Sequence, residues 1–184
     1  MDVSLLQSLS YVAAAIGVCA AAIYYVLTLR TNQKNIQTTL ETRQAQFMNQ
    51  ISDSLTSVET MKIIFELWGM EWTDWEDFEK RWGSTGNPES AARRMSLFYK
   101  VDNIGWLLKK KLLDPEWVYS QFHSLLTPMW IKWEPYVMQT RKAFNSPTIY
   151  IGFEYLGKKL VEIETAKGIK AVIPTTLKGA SIAR

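Results

Sequence analysis

The sequence predicts an all-α protein in which one N-terminal transmembrane helix continues as a stalk into a cytoplasmic helical bundle. Three observations predict this class. The chain begins with a long uncharged segment, helix start signals recur along the rest, and no later stretch alternates convincingly as a half-buried strand does. We divide the chain into an N-terminal tip and transmembrane helix (1–29), a helical stalk (30–54), a helical bundle domain (55–166) and a flexible basic tail (167–184).

The uncharged segment at residues 11–29 has the length and composition of a membrane span. It contains no charged residue and no proline. As a helix it is roughly 28 Å long, which matches the ~30 Å hydrocarbon core of a bilayer. A single segment crosses lipid only as a helix, because lipid offers backbone N–H and C=O groups no partners. The run exceeds the apolar region of a signal peptide and no Lys or Arg precedes it, so we expect an uncleaved anchor.

The charges that flank this segment are asymmetric. Arg30, Lys34 and Arg43 follow it, whereas Asp2 is the only charged residue before it. Basic residues favour the cytoplasmic side of a membrane. We therefore expect a single-pass protein of the cell membrane, with its N-terminus outside and its C-terminal domain in the cytoplasm.

Three small residues share one face of the apolar segment. Ala13, Gly17 and Ala21 are spaced by four, a pattern that permits close packing against another transmembrane helix. That helix would come from a second copy of the chain or from another membrane protein. Alanine-rich spans also produce such a row without any packing partner.

Helix start signals divide the remaining chain. Thr73 and Glu76 form a capping box, and an N-cap residue precedes proline at Asn87-Pro88, Asp114-Pro115, Thr127-Pro128 and Ser146-Pro147. The predicted helices cover residues 5–68, 74–82, 88–112, 115–126, 128–143 and 147–166. Residues 171–173 are the only short candidate for a strand.

Two residues inside predicted helices call for a structural reason. Gly105 lies within the helix 88–112, where glycine costs about 1 kcal/mol relative to alanine. A neighbouring helix or a tryptophan packed close against its backbone would explain it. Pro135 lies within the helix 128–143 and should kink it.

Aromatic residues dominate the expected core. All eight tryptophans lie between Trp68 and Trp133, and we expect most of them to be buried. Trp72 and Trp75 are the best candidates for exposure. The candidate partner surface consists of five residues: Trp72, Trp75, Arg93, Arg94 and Arg141.

The composition argues against several classes of function. A net charge of +3 is too small to predict nucleic-acid binding. Cys19, the single cysteine, lies in the apolar segment, and His123, the single histidine, is more often structural than catalytic in such a context. No zinc, phosphate-binding, dinucleotide or nucleophile-elbow motif is present. We predict no catalytic residue, cofactor, metal or small-molecule substrate.

Aromatic and basic motifs recur between residues 72 and 156. They are Trp72-x-x-Trp75-x-x-Phe78, Arg93-Arg94 with Phe98-Tyr99, Gly105-x-Leu107-Leu108, Leu112-Leu113-Asp114-Pro115-Glu116-x-Val118-Tyr119, Trp130-x-x-Trp133-Glu134, Arg141, and Phe153-Glu154-Tyr155-Leu156. This pattern resembles the domain-of-unknown-function family 4760, found in prokaryotic single-pass membrane proteins. The resemblance implies an N-terminal membrane helix that leads into a helical domain, and it implies no catalytic residue.

These observations favour a membrane-anchored cytoplasmic interaction module, an accessory or scaffold subunit of a membrane complex. Its expected partners are the lipid bilayer and another membrane protein or a second copy. The alternative is a regulatory or effector enzyme, in stress or phage defence, with an unrecognised site in the bundle. Such a site would lie around Arg93, Tyr99, Asn103, Arg141 or Glu154. A third possibility is lipid binding by the basic tail.

Overall fold

The structure is a computed structural model, and it describes residues 3–170. All regular elements in this range are α-helices, which confirms the all-α class. They are α1 (Val3–Thr56), α2 (Val58–Gly69), α3 (Trp75–Trp82), α4 (Pro88–Lys109), α5 (Pro115–Ala143) and α6 (Ile151–Ala166). The candidate strand at 171–173 and most of the predicted tail lie outside the described residues.

The chain falls into two units, Met1–Gln46 and Phe47–Arg184. The first unit is the greater part of α1. Between residues 9 and 43 every side chain except Thr28 is exposed. This helix is long and apolar enough to cross a membrane, by length and composition. It is therefore a candidate membrane span.

A break at Ser57 ends α1, where the sequence predicted a continuous helix to residue 68. Ser57 leaves the helical conformation at φ −57° and ψ 142°, and its Oγ accepts a hydrogen bond from the Thr60 N–H at 3.2 Å. Serine is a favourable N-cap, so it can start a new helix without Gly or Pro. Leu55 before the break and Ile64 after it are both buried in the bundle.

The capping box of α3 forms one residue later than predicted. Asp74 is the N-cap, and its carboxylate accepts from the Asp77 N–H at 2.9 Å. Asp77 reaches back to the Thr73 N–H at 3.0 Å. A carboxylate caps a helix start somewhat better than a threonine hydroxyl, which accounts for the shift away from Thr73 and Glu76.

α5 is one helix, and the predicted division at Thr127-Pro128 is wrong. Pro128 and Pro135 both lie inside it. An internal proline typically costs about 3 kcal/mol, because it removes a backbone hydrogen bond and crowds the preceding turn. Met129 and Trp133, which lie between the two prolines, are completely buried. Tertiary packing thus holds the helix together across the prolines.

α6 begins at Ile151, four residues after its predicted start at Pro147. The residue before it, Tyr150, has left-handed backbone angles (φ 55°, ψ 36°) and makes no side-chain capping bond. Such a conformation is unusual for a bulky residue. The Tyr150 side chain is buried, and its ring packs edge-on against Phe98 at 5.4 Å. Aromatic burial offsets the unfavourable backbone.

The core of the second unit is built around Trp133. Its indole contacts Trp72, Phe78, Phe98 and Tyr136, with ring centroids 5.0 to 6.0 Å apart. Most of the tryptophans are buried or half-buried, as expected, and Trp106 is the most exposed of them. Aromatic pairs in this geometry add about 0.5–1.5 kcal/mol each beyond the burial of their area.

Candidate functional site

The structure divides the predicted partner surface among several places. Trp72 and Trp75 lie at a groove between α3 and α5. Arg93 lies on the exposed side of α4, whereas Arg94 and Arg141 are enclosed by other side chains. The predicted five-residue surface therefore does not exist as one patch.

The groove between α3 and α5 has a volume of about 350 Å³. We call it the aromatic groove. It is lined by Trp72, Asp74, Trp75, Phe78, Pro135, Tyr136, Met138, Gln139 and Lys142. Aromatic, proline and methionine side chains make up most of this lining, and Asp74 and Lys142 contribute opposite charges. A groove of this kind suits an apolar side chain better than a polar substrate.

Stacked rings form one wall of the aromatic groove. The Trp75 ring stacks on Tyr136 at 5.6 Å and on Phe78 at 6.1 Å. Trp75 is half-buried, so part of its indole is available to a ligand. Trp72 is only 3% exposed, which corrects the prediction that it belongs to an exposed surface. Its ring is covered by Phe78, in the neighbouring helix α3, and by Trp133, which lies far from it in the chain.

Arg94 lies beneath the aromatic groove and is 2% exposed, so it is not a surface residue as predicted. Its Nη1 donates to the Trp82 carbonyl at 2.8 Å. Its guanidinium carbon lies 4.7 Å from the centroid of the Phe78 ring and 5.0 Å from that of Tyr136. Aromatic faces stabilise a desolvated cation by about 2 kcal/mol or more. Arg94 thereby joins the end of α3 to α4 and α5.

A second buried cation, Lys132, was not identified from the sequence. It is 7% exposed, and its Nζ donates to the Trp68 carbonyl at 2.5 Å, in the last turn of α2. Burial lowers the pKa of Lys132 to about 8, and the nearby Glu71 opposes this effect. The C-terminal end of a helix is a favourable place for a positive charge. The only signal in the sequence is the position of this lysine between Trp130 and Trp133.

Arg93 is exposed and connects α2 with α4. It forms ion pairs with Glu66 at 3.1 Å and with Glu89 one turn before it. These hydrogen bonds raise the pKa of Arg93. The Ser90 hydroxyl also donates to Glu66, at 2.9 Å. Arg93 thus remains accessible to a partner, although both of its carboxylates belong to this chain.

Arg141 is largely enclosed, which corrects its assignment to a partner surface. Its Nη1 lies 2.6 Å from a Glu154 oxygen, and its Nε donates to the Ile149 carbonyl at 2.8 Å. Lys158 contacts the other Glu154 oxygen at 2.5 Å. Burial opposes ionisation of Glu154, but the hydrogen bonds from Lys158 and Arg141 outweigh it and hold the pKa of the carboxyl below its usual value. The cluster fixes the turn between α5 and α6.

A second groove separates the end of α1 from α4, within the second unit. Its volume is about 270 Å³, and it is the α1–α4 groove. Apolar side chains from Phe47, Ile51 and Leu55 face Ile104 and Leu107 across it. Of the residues proposed for an enzymatic site, Asn103 lines this groove, whereas Arg93, Tyr99, Arg141 and Glu154 line neither groove.

The remaining candidates for chemistry have structural contacts. The His123 ring stacks on Tyr119 at 4.6 Å, and its Nδ1 lies 2.9 Å from the Tyr119 carbonyl oxygen, so this nitrogen carries a proton in this arrangement. Within residues 3–170 no three His, Cys, Asp or Glu side chains converge as metal ligands would. The linings of the two grooves support binding through apolar and aromatic contacts.

Comparison with known proteins places the chain in one family. No curated protein matches the chain, and neither does any solved structure. The family model described as Domain of unknown function (DUF4760) matches residues 12–160, from the apolar part of α1 to within α6. The match includes all of the motifs from Trp72 to Leu156 that pointed to this family. The chain therefore belongs to the DUF4760 family of domains of unknown function.

Proposed function

We propose that this protein is a membrane-anchored interaction module, an accessory or scaffold subunit of a membrane complex. One observation carries the proposal. The apolar side chains between residues 9 and 29 are exposed on every face of this part of α1 and have no partner within their own chain. Removal of a Leu, Ile or Val side chain from water contributes about 1.5–3 kcal/mol. A bilayer supplies that environment for all of them at once.

The orientation follows from the charges at the end of this segment. Arg30, Lys34 and Arg43 favour the cytoplasmic side, so the second unit lies in the cytoplasm and the N-terminus outside the cell. The protein is a single-pass protein of the cell membrane.

The partner in the membrane is a second transmembrane helix, from another copy or from another membrane protein. Ala13, Gly17 and Ala21 form the contact row on α1. A Cβ added at Gly17 would meet no atom within 4 Å in the chain itself, so this face is open. Such a row of small residues permits the backbone of another helix to approach closely.

The second unit supports an interaction role over an enzymatic one. Both grooves are lined mainly by apolar side chains, and aromatic residues are enriched at protein interfaces. Arg93 and Arg141 have different carboxylate partners, on α2 and α4 and on α6 respectively. No observation favours the alternative of a regulatory or effector enzyme, and we do not propose it.

Extraction of cell membranes with alkaline carbonate tests the anchor. The full chain should stay in the membrane pellet, and a chain released by carbonate would overturn the proposal. Protease added to right-side-out vesicles should leave residues 47–170 intact, because they lie inside. Cleavage of these residues by the external protease would show that the orientation is the reverse.

Purification in mild detergent tests the complex. The protein should migrate above its monomer mass, as an oligomer or with other chains. Gly17→Leu should abolish this association, because the larger side chain separates the helices. Ala15→Leu adds the same side chain on the opposite face and should preserve it. A protein that purifies alone as a monomer would contradict the scaffold role.

A further inference from the structure

Two short basic segments lie at one end of the helical bundle. Residues 109–112 (Lys-Lys-Lys-Leu) run from the last residue of α4 into the turn after it, and residues 167–170 (Lys-Gly-Ile-Lys) follow α6. Lys167 connects them, since its Nζ lies 2.7 Å from Glu116 and 3.9 Å from the centroid of the Tyr119 ring. Both of those residues belong to the first turns of α5, which begins directly after residues 109–114. We call the two segments together the basic tip.

Positive charge predominates at the basic tip. It carries five lysines, and within the described part of the chain Lys109, Lys110 and Lys111 form no ion pair. Of the carboxylates beside it, Glu116 is paired with Lys167, and Asp114 accepts from the Trp117 N–H as the N-cap of α5. The Lys109 ammonium lies 5.0 Å from the centroid of the exposed Trp106 ring.

Each segment contains a residue with left-handed backbone angles, and the aliphatic residue that follows it lies in solvent. Lys111 has φ 58°, and the Leu112 N–H donates to the Leu107 carbonyl at 2.9 Å. Gly168 has φ 71°, and the Ile169 N–H donates to the Glu164 carbonyl at 2.8 Å. In this type of helix end the last residue ordinarily packs on the preceding turn. Here Leu112 is still 45% exposed and Ile169 is 49% exposed.

The chain enters the second unit near this same end. The Lys100 ammonium donates to the Thr60 hydroxyl at 3.1 Å, and Thr60 lies just beyond the end of α1. Because residues 47–55 line the α1–α4 groove with α4 up to Leu107, Phe47 lies toward the C-terminal end of α4.

We propose that the basic tip docks on the anionic headgroups of the lipid bilayer and inserts Leu112 and Ile169 among them. This inference rests on the proposed anchoring by α1. Lysines close to an anionic leaflet are attracted to it, and tryptophans such as Trp106 are enriched at the membrane interface. Exposed aliphatic residues surrounded by lysines match a bilayer, because anionic headgroups cover its surface and apolar acyl chains lie just beneath them. The surface of an acidic protein would match the lysines alone.

A fluorescent label at position 112 tests the docking in the full chain. In a Cys19→Ser background, Leu112→Cys is labelled with an environment-sensitive dye, and the protein is reconstituted into vesicles. With phosphatidylcholine and phosphatidylglycerol together, the emission should shift to the blue and be quenched by spin-labelled lipid. With phosphatidylcholine alone, the shift should be lost.

Phe144→Cys is the matched control. Phe144 is exposed and follows α5 at the opposite end of that helix, about 43 Å from its start. A label there should not respond to either lipid mixture. Replacement of Lys109, Lys110 and Lys111 by Glu should remove the response at position 112, whereas Glu at Lys62, Lys80 and Lys142 should leave it unchanged.

Flotation of the same vesicles separates the two proposals. If the chain does not float with either lipid mixture, the anchor is wrong. If it floats with both but the label at 112 stays in water, the anchor stands and the docking is overturned, and a protein partner becomes the occupant to seek. A response at 112 that survives the triple Glu variant would also overturn the electrostatic docking.

Discussion

Gly105 of α4 and Gly152 of α6 touch backbone to backbone. A Cβ built on Gly105 would overlap the carbonyl oxygen of Gly152, and one built on Gly152 would overlap that of Asp102. A hydrogen bond reinforces the crossing of the two helices, since the Asp102 carboxylate of α4 accepts from the Phe153 N–H of α6 at 2.9 Å. The absence of two side chains thus allows α4 and α6 to approach more closely than ordinary helices do.

Gly105→Ala should destabilise the bundle. Alanine is about 1 kcal/mol better than glycine inside a helix, but an inserted methyl group in a tight core costs about 1–3 kcal/mol, and here the obstacle is backbone. The free energy of unfolding, measured with denaturant on the full chain in detergent, should therefore fall. Gly69→Ala is the control, since a Cβ there meets no atom within 4 Å. Equal stability of both variants would show that the helices can separate freely.

The close contact at Gly105 was predictable because glycine destabilises the interior of a helix, so its presence there indicates a contact with another element. The burial of Trp72 and Arg94 was not, because it depends on Phe78, Trp133 and Tyr136, which reach them only in the folded state. Local patterns establish which segments are helical. They do not establish which face of a segment another segment will cover.

Two helix boundaries illustrate the same limit. The dipeptide Thr127-Pro128 has the composition of a helix start, yet buried neighbours carry α5 through it. Ser57 has no Pro or Gly beside it, yet it caps a new helix. In both cases the local preference amounts to a few kcal/mol at most, and the burial of several large side chains outweighs it.

Lys132→Met should change the pH dependence of stability. The pKa of Lys132 is lowered to about 8 in the folded chain, against 10.5 for the ordinary group. Between these values the unfolded chain binds the proton and the folded chain does not, so the stability of the native protein rises with pH. The Met variant lacks this contribution, and its stability relative to the native protein should fall by about 3 kcal/mol across the window.

Denaturant titrations at pH 7.5 and at pH 10.5 measure this difference. Lys62→Met is the control, because Lys62 is an exposed residue of α2 and should show no such trend. A constant difference between the native protein and Lys132→Met at both pH values would mean that the ammonium is well solvated.

Glu154→Gln should destabilise the turn between α5 and α6. The variant leaves the largely enclosed Arg141 without its carboxylate, at a cost of about 1–3 kcal/mol at neutral pH. The pKa of Glu154 is lowered by its partners, so its contribution is present above the unfolded pKa and is lost as pH falls through the folded one. Thermal unfolding at pH 7 should separate the variant from the native protein, and the gap should close in acid.

Glu162→Gln removes an exposed pair with Lys159 and provides the comparison for Glu154→Gln. Exposed pairs are worth about 0–1 kcal/mol, so this variant should unfold close to the native protein. If both variants lose the same small amount, the Arg141 pair is a surface pair in solution.

Ser57→Ala distinguishes a broken helix from a continuous one by the sign of its effect. In the structure, Ser57 is the N-cap of α2, and loss of its hydroxyl should cost about 1 kcal/mol. If α1 instead continued through this point to residue 68, alanine would improve the helix by up to about 0.7 kcal/mol. Ser57→Asp keeps an N-cap acceptor and should retain the stability of the native protein. Denaturant unfolding of the three proteins therefore gives opposite orders for the two arrangements, and a more stable Ser57→Ala variant would mean that the chain does not turn at Ser57.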